Sequence, residues 1–330
     1  MTTTAKRVLG RSDIEVSPVG FGCWAIGGPF FGEDGKPAGW GQADDAESLA
    51  AIDRALELGV TFFDTADVYG VGHSEEVLGR AFAGRRDSVV IASKFGNVFD
   101  QSTRSLTGTD ISADYVRGAC DASLRRLNTD HIDLYQLHVG HAPLSEVDGL
   151  LATLEELVAA GKIRAYGWST DDPRRAAAFA KGPHAVAVQH ELNVLSDQPA
   201  MLDVCTEHQL SSVNRGPLAM GLLSGKYSAT TQLSSDDVRG DNAPSWMHYF
   251  EDGRPNPHWL TRLAEIRDIL TSDGRTLAQG ALGWILARHE ATVPIPGCRT
   301  VAQTEENAGT LAFGPLSQIA VAEIATLLGD

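Results

Sequence analysis

Two rhythms of apolar and polar positions alternate along most of this chain. Brief apolar runs, too short for helices, follow longer segments in which apolar residues recur every three or four positions, as strands alternating with amphipathic helices do. The clearest junction is Phe62-Phe63-Asp64-Thr65-Ala66-Asp67-Val68-Tyr69-Gly70. It begins apolar and breaks into polar residues and a glycine, the pattern of a buried strand ending in a surface loop. Ahead of it, residues 7–16 read as a hairpin around a Gly-Arg-Ser-Asp turn and 17–24 as a first strand. The spacing of Leu49, Ile52, Ala55 and Leu56 predicts a helix at 44–58, with a strand at 60–63 after it. A helix at 74–82, with Ser74 as its expected N-cap, leads to a strand at 88–94. Helices at 112–127, 144–160, 173–180 and 199–208 then alternate with strands at 132–138, 163–169, 185–189 and 211–214. Helices at 259–270 and 276–289, a strand at 292–296 and two further helical stretches close the chain.

Strand-then-helix units number about eight, which predicts one closed (β/α)₈ barrel of the TIM type with an N-terminal β-hairpin cap and extra C-terminal helices, a single domain over 1–330. An open doubly wound sheet is the competing architecture, but no G-x-G-x-x-G stands between a strand and a helix. Two stretches break the alternation. Residues 25–41 are glycine-rich and aperiodic, and 227–258 are polar but carry Trp246, Tyr249 and Phe250. A loop as long as the second is usually functional, so a lid or a subunit contact is expected there.

Composition narrows the class only modestly. Hydrophobic residues make up 43% and charged residues 21% of the 330, ordinary for a globular protein. The formal charge of −16 argues against nucleic acid as a partner, because phosphate-backbone affinity depends on clustered Lys and Arg. Cys23, Cys120, Cys205 and Cys298 form no CxxC pair and have no His at ligand spacing, so neither a disulfide framework nor a metal site is expected. The N-terminus lacks the apolar core of a signal peptide, and no run of roughly eighteen apolar residues occurs. A cytoplasmic protein with no membrane partner is the expectation, its oligomeric state left open.

In a parallel barrel, chemistry gathers at the C-terminal ends of the strands. Those ends carry Trp24, Asp64 with Tyr69, Lys94, His138, Ser169, Gln189, Asn214-Arg215 and Pro296-Gly297. Taken singly, Asp64 reads as a helix cap, Lys94 as half of a structural ion pair and His138 as a core histidine. Together with a tyrosine they form a proton-donating device. A free tyrosine, with a pKa near 10, is a poor acid at neutral pH. An adjacent ammonium is expected to lower that value by stabilising the phenolate, with a carboxylate holding the ammonium. Tyr69 could then protonate a carbonyl oxygen that His138 orients. No nucleophile elbow is present, since Gly167-Trp168-Ser169 lacks the second glycine.

At this point the chain resembles the aldo-keto reductase superfamily, through FFDTADVYG, VIASKFG, DLYQLH, GKIRAYGWS, GPLAMGLLSGKY and IPGCRTVAQTEEN. Their order and spacing look like the longer bacterial branch related to potassium-channel β subunits. The resemblance implies a barrel that binds NADPH or NADP⁺ in extended form, and a catalytic tetrad of Asp64, Tyr69, Lys94 and His138 with Tyr69 as general acid. It implies that Ser169 and Gln189 hydrogen-bond the nicotinamide carboxamide and that Arg215 lies against the ring. The stretch 216–226 matches a loop over the pyrophosphate, with Gly216, Leu218, Gly221, Leu222, Ser224 and Lys226. The stretch 297–307, from Gly297, matches the adenosine site, where Glu306 and Asn307 would hold the adenine and Arg299 the 2′-phosphate. Trp24, on the same rim, is grouped with the cofactor-binding positions.

Three departures from the family pattern bear on this. Thr170 stands where many members have Asn, and Gln189-His190-Glu191-Leu192 lacks the aromatic often found just after the Gln. Gln303 replaces a phosphate-binding Arg of shorter members, which leaves Arg299 as the main cation and admits NADH as a second cofactor. The leading expectation is therefore an NADPH-dependent reductase of aldehydes or ketones with a small-molecule carbonyl or sugar substrate. The same site run in reverse, as a sugar or alcohol dehydrogenase, is the first alternative. A cofactor-sensing binding subunit is the second, disfavoured by the intact tetrad and by the short sequence ahead of the hairpin. A Schiff-base enzyme built on Lys94 is the third, disfavoured by the cofactor motifs.

Overall fold

The computed structural model describes residues 6–329. Eight parallel strands hydrogen-bond in the order of the chain. They are β1 (Phe21–Gly22), β2 (Phe62–Asp64), β3 (Val90–Phe95), β4 (Ile132–Leu137), β5 (Ile163–Ser169), β6 (Ala185–Glu191), β7 (Ser211–Arg215) and β8 (Thr292–Pro294). The last returns to the first: the N–H groups of Gly20 and Gly22 donate to the carbonyls of Pro294 and Pro296, both at 2.9 Å, and Gly22 bridges Gly297. The sheet closes on itself as a (β/α)₈ barrel, which leaves no exposed strand edge.

These strands read as continuous apolar runs because both of their faces are buried, one against helices and one inside the barrel. Successive side chains take opposite faces. Phe63, Ile91 and Tyr135 pack outward against helices, while Phe62, Ala92, Leu134, Ala165, Ala187 and Val213 point inward. The lower end of that interior is plugged by Leu9, Ile14 and Val16 of the N-terminal hairpin, in which Arg7–Val8 pairs with Glu15–Val16. Two residues further along five of these strands the inward row turns polar, giving Asp64, Lys94, Gln136, Gln189 and Arg215. Side-chain parity and strand direction therefore deliver these groups to one end.

Most predicted elements are present within a residue or two, and several departures have local causes. The helix predicted from Ser74 spans His73–Ala81, and its N-cap is Gly72 in a left-handed conformation (φ 102°). The Ser74 hydroxyl points inward, donating to the Cys23 carbonyl at 2.9 Å and accepting from Thr65 Oγ1 at 2.8 Å. The first strand stops at Gly22, and Trp24 opens a short 3₁₀ turn, Trp24–Ile26. Between β3 and the helix Ala113–Leu127 the chain adds a hairpin, Asn97–Asp100 with Ser105–Thr109, that half-exposed side chains do not announce in the sequence. The segment 227–258 is packed down rather than detached. Val238, Met247, Tyr249 and Phe250 are buried against Leu263, Ile266 and Trp284, and Phe250–Glu251 pairs with Arg254–Pro255.

Candidate active site

The C-terminal end of the barrel opens into a cavity of about 1050 Å³. At its floor Lys94, on β3 and completely buried, is held from three sides. Its Nζ donates to Asp64 Oδ1 at 2.6 Å, to the Thr65 carbonyl at 2.8 Å and to the Tyr69 hydroxyl at 3.2 Å. The second carboxylate oxygen, Asp64 Oδ2, accepts from Gln189 Nε2 at 2.7 Å and Gln136 Nε2 at 3.0 Å. A buried ion pair is tolerated only when its remaining hydrogen-bonding capacity is filled, and here two amides fill it. Lys94 itself does not reach the cavity surface; Tyr69, Asp64 and Gln189 present the network there, beside His138.

Tyr69 is fixed by its loop. Gly70 has φ 61°, and a Cβ there would lie 1.8 Å from the Gly27 carbonyl oxygen, so only glycine lets this loop lie against the one after β1. The phenol ring stacks on Trp24 (centroids 6.0 Å apart, 23° between planes) and meets the edge of His138 at 5.8 Å.

Burial sets the protonation states. It pushes the Tyr69 phenol above its usual 10, outweighing the opposite pull of Lys94, so the lowering expected from the ammonium is not the net result. Burial alone would lower the Lys94 ammonium, yet Asp64 and Tyr69 together leave it above its usual value. Burial, reinforced by the Lys94 and Arg215 charges, holds His138 well below 6.5, so the ring is neutral at neutral pH. Its buried Nδ1 has no hydrogen-bond partner among the described residues.

The candidate cofactor residues line the same cavity at Trp24, Ser169, Gln189, Arg215, Gly216 and Leu218, and further along at Gly221, Ser224, Lys226, Gly297, Arg299, Gln303, Glu306 and Asn307. Leu222 is the exception. Its side chain turns away into the apolar cluster with Leu223, Leu263 and Trp284, because the chain reverses through left-handed Ala219, Met220 and Gly221 just before it. Gln189 is first of all a ligand of the Asp64 carboxylate. Arg215 pairs with Asp171 and approaches Glu191 at 3.9 Å. Among the described residues Arg299 pairs with no carboxylate; its guanidinium donates to the carbonyls of Trp40, at 3.0 Å, and Gln42, while its N–H donates to Gln303 Oε1 at 2.9 Å. Thr170 spends its hydroxyl on the Gly140 carbonyl at 2.7 Å.

Three further residues, Gln136, Arg239 and Trp40, are not named in the sequence reading, and Tyr249 enters it only as an aromatic of the segment 227–258. Gln136 sits beside Asp64, and its parity with Leu134 along β4 is the signal that would have found it. Arg239, Trp40 and Tyr249 come from the two aperiodic loops, where no periodicity gives direction. Tyr249 donates to Glu191 Oε1 at 2.6 Å, placing an aromatic ring near the position where β6 lacks one.

The residues present suit an extended dinucleotide. Gly216 and Gly221 take left-handed φ values of 61° and 91°, which bring bare backbone to the cavity wall, and Arg299 and Lys226 supply cations beside it. Among the described residues no group of three His, Cys, Asp or Glu side chains is arranged to hold a metal ion.

Known proteins resemble this chain in sequence and in fold. Residues 18–328 match the model of the aldo/keto reductase family. The chain is 34% identical over 319 residues to the NADP(+) aldo-keto reductase yakc of Schizosaccharomyces pombe, covering 94% of this chain and 87% of that one. Among solved structures, the glycerol dehydrogenase of Gluconobacter oxydans is 28% identical with a TM-score of 0.82, covering 100% of this chain and 96% of that one. An aldo-keto reductase from Klebsiella pneumoniae in complex with NADPH is 27% identical with a TM-score of 0.70, covering 98% and 95%.

Proposed function

The chain belongs to the aldo/keto reductase family, and from that premise we propose that this oxidoreductase reduces aldehydes or ketones with NADPH, using Tyr69 as its proton donor. The observation that carries the reading is Lys94 Nζ lying between Asp64 Oδ1 and the Tyr69 hydroxyl at the floor of the cavity. NADPH, when bound, supplies the hydride. The protein's part is to hold the carbonyl, deliver a proton to its oxygen and keep water away. His138, neutral and lining the cavity, can donate a hydrogen bond to the carbonyl oxygen and fix its position next to the Tyr69 hydroxyl. As negative charge grows on that oxygen, the Tyr69 proton moves to it. The phenolate left behind is stabilised by the Lys94 ammonium at 3.2 Å, whose own charge Asp64 balances.

Ser169, Gln189 and Arg215 are proposed to face the nicotinamide end. Gly216 to Lys226 would cover the pyrophosphate, and Arg299, Glu306 and Asn307 would hold the adenosine 2′-phosphate and base. NADP(+) in the name of the yeast relative and NADPH in the Klebsiella complex support NADPH as the cofactor. NADH as a second cofactor rests on Arg299 being the main cation at the adenosine end. A cytoplasmic location is proposed because all four cysteines are free and buried.

The test is titration of the purified protein with NADPH and NADH, followed by tryptophan quenching, together with NADPH oxidation in the presence of aldehydes and ketones. Tight NADPH binding with carbonyl-dependent turnover is expected, and no binding of either cofactor would overturn the reading. For Arg299→Ala the expected result is NADPH affinity weakened by ~10-fold or more, with NADH little changed, since a lost charge-assisted contact to phosphate is worth at least about 1.4 kcal/mol. Equal loss for both cofactors would move the 2′-phosphate site elsewhere. The reverse reaction, oxidation of an alcohol or polyol, is the second reading, supported by the similarity to a glycerol dehydrogenase.

A further inference from the structure

We propose that Arg239 is a positioning residue that ties three walls of the cavity together and so sets how fast the dinucleotide leaves. The proposal rests on the reading that this cavity holds NADPH. Arginine is seldom buried, yet Arg239 is only 6% exposed. Its fork makes four hydrogen bonds. Nε and Nη2 lie 2.8 and 2.7 Å from the two oxygens of Asp237, and Nη1 donates to the Met220 carbonyl at 2.9 Å and to the Tyr227 hydroxyl at 2.7 Å. The guanidinium sits 4.5 Å from the centre of the Trp40 ring and 5.3 Å from that of Phe250.

Asp237, Tyr227 and Phe250 belong to the same segment as Arg239, whereas Met220 and Trp40 lie on two other walls. Met220 belongs to the turn expected over the pyrophosphate, where Ala219 and Met220 hold φ values of 47° and 55°. Non-glycine residues keep left-handed backbone only where their surroundings hold them there, and Arg239 supplies a donor to the carbonyl of this turn. Trp40 belongs to the loop after β1. Next to Arg239, the Val238 N–H donates to the Gly39 carbonyl at 3.0 Å, and the Trp40 carbonyl in turn accepts from Arg299 Nη1 at 3.0 Å. The pyrophosphate turn, the loop 37–42 and the adenosine-side Arg299 are therefore linked through one side chain of the 227–258 segment. Asp237 already balances the Arg239 charge, so the guanidinium acts as a clasp between protein walls rather than as the main partner of a phosphate. A dinucleotide lying under these walls cannot leave until one of them moves, and the clasp opposes that movement.

The experiment is stopped-flow displacement of bound NADPH by excess NADP⁺, following NADPH fluorescence, in the wild-type protein and in Arg239→Gln, Arg239→Lys and Tyr227→Phe. In Arg239→Gln the dissociation rate is expected to rise by ~10-fold or more, and in Arg239→Lys, which keeps the charge but not the fork, by a smaller factor. Tyr227→Phe removes one acceptor of the clasp and is expected to give a rise of about threefold. The single-turnover rate of hydride transfer at saturating NADPH should stay within about twofold, a split that mere loss of stability does not produce. Should Arg239→Gln fail to fold, the other two variants decide. Dissociation rates within twofold of wild type in every folded variant would overturn the proposal. Failure of the wild-type protein to bind NADPH would instead overturn the reading on which it rests.

Discussion

Tyr69 is the proposed proton donor, and its surroundings make a definite pH prediction. Burial raises the phenol above its ordinary value, so the hydroxyl keeps its proton through the whole neutral range. Reduction needs that proton and is expected to hold level across neutral pH, falling only on the alkaline side. Oxidation needs the phenolate and is expected to rise with pH over the same span. A profile of kcat/KM in both directions checks this, and reduction falling below pH 8 would contradict it. Replacing Tyr69 with Phe is expected to lower turnover by at least ~10² while leaving NADPH affinity near that of wild type, because the lost group acts on the proton and not on the cofactor. The grouping of Asp64, Tyr69, Lys94 and His138 at one end of the barrel was legible in the sequence because Asp64, Lys94 and His138 fall at or next to strand ends. Gln136 was not, since a glutamine within IDLYQL looks like any polar residue until its neighbours across the barrel are known.

At the scale of elements, the loop after β2 shows how a glycine can fix the place of the proposed proton donor. Gly70→Ala drives a carbon into the Gly27 carbonyl and should shift the loop that carries Tyr69. A displacement of about 1 Å at the reacting group can cost ~10² in rate, so a fall in kcat/KM of at least tenfold is expected. Gly59→Ala is the control. Its φ of 87° is equally left-handed, but an added carbon meets nothing within 4 Å. It is expected to cost ~1–2 kcal/mol of stability, seen in urea unfolding, with kinetics unchanged. Equal kinetic loss in the two variants would show that backbone strain, and not the contact with the loop after β1, sets the position of Tyr69. The helix starts illustrate a related limit. Ser112, Asn256 and Thr276 cap their helices as Ser, Asn and Thr commonly do, whereas Ser74 is drawn inside by Thr65 and Cys23. A capping residue type is a local property, but which hydroxyl finds a buried partner is not.

The barrel as a whole buries titratable groups that make it sensitive to acid. His190 lies inside, between the Glu191 carbonyl at 2.9 Å and Ser212 Oγ at 2.7 Å, and burial lowers it to about 4 from 6.5. Above pH 6.5 the ring is neutral whether the chain is folded or unfolded, and it contributes no pH dependence. As pH falls from 6.5 towards about 4 the unfolded chain takes up the proton first, and stability drops by an amount on the order of 3 kcal/mol. His138 acts in the same direction. Asp67, raised well above 3.8 by burial, acts in the opposite one, because its folded form keeps a proton that the unfolded chain releases as pH rises. The informative measurement is therefore a comparison of variants. Urea unfolding of His190→Gln should lose less stability between pH 7 and pH 4.5 than wild type does, and an unchanged slope would remove His190 from the account.

What the sequence by itself determined about this protein is the barrel and the membership of its rim. Strand and helix periodicity, side-chain parity and strand direction are local properties of the chain, and in a closed parallel barrel they suffice to say which residues end at the same place. The tertiary structure decided how those residues engage one another. Burial outweighs the ammonium at Tyr69, two glutamines hold the Asp64 carboxylate, and Leu222 turns into the core. It also decided the course of residues 25–41 and 227–258, which bring Trp40, Tyr249 and Arg239 to the cavity. The reason is physical. A segment without periodicity takes its direction from long-range contacts, here the ties of Val238 to Gly39 and of Arg239 to Met220, and such contacts exist only once the barrel has closed.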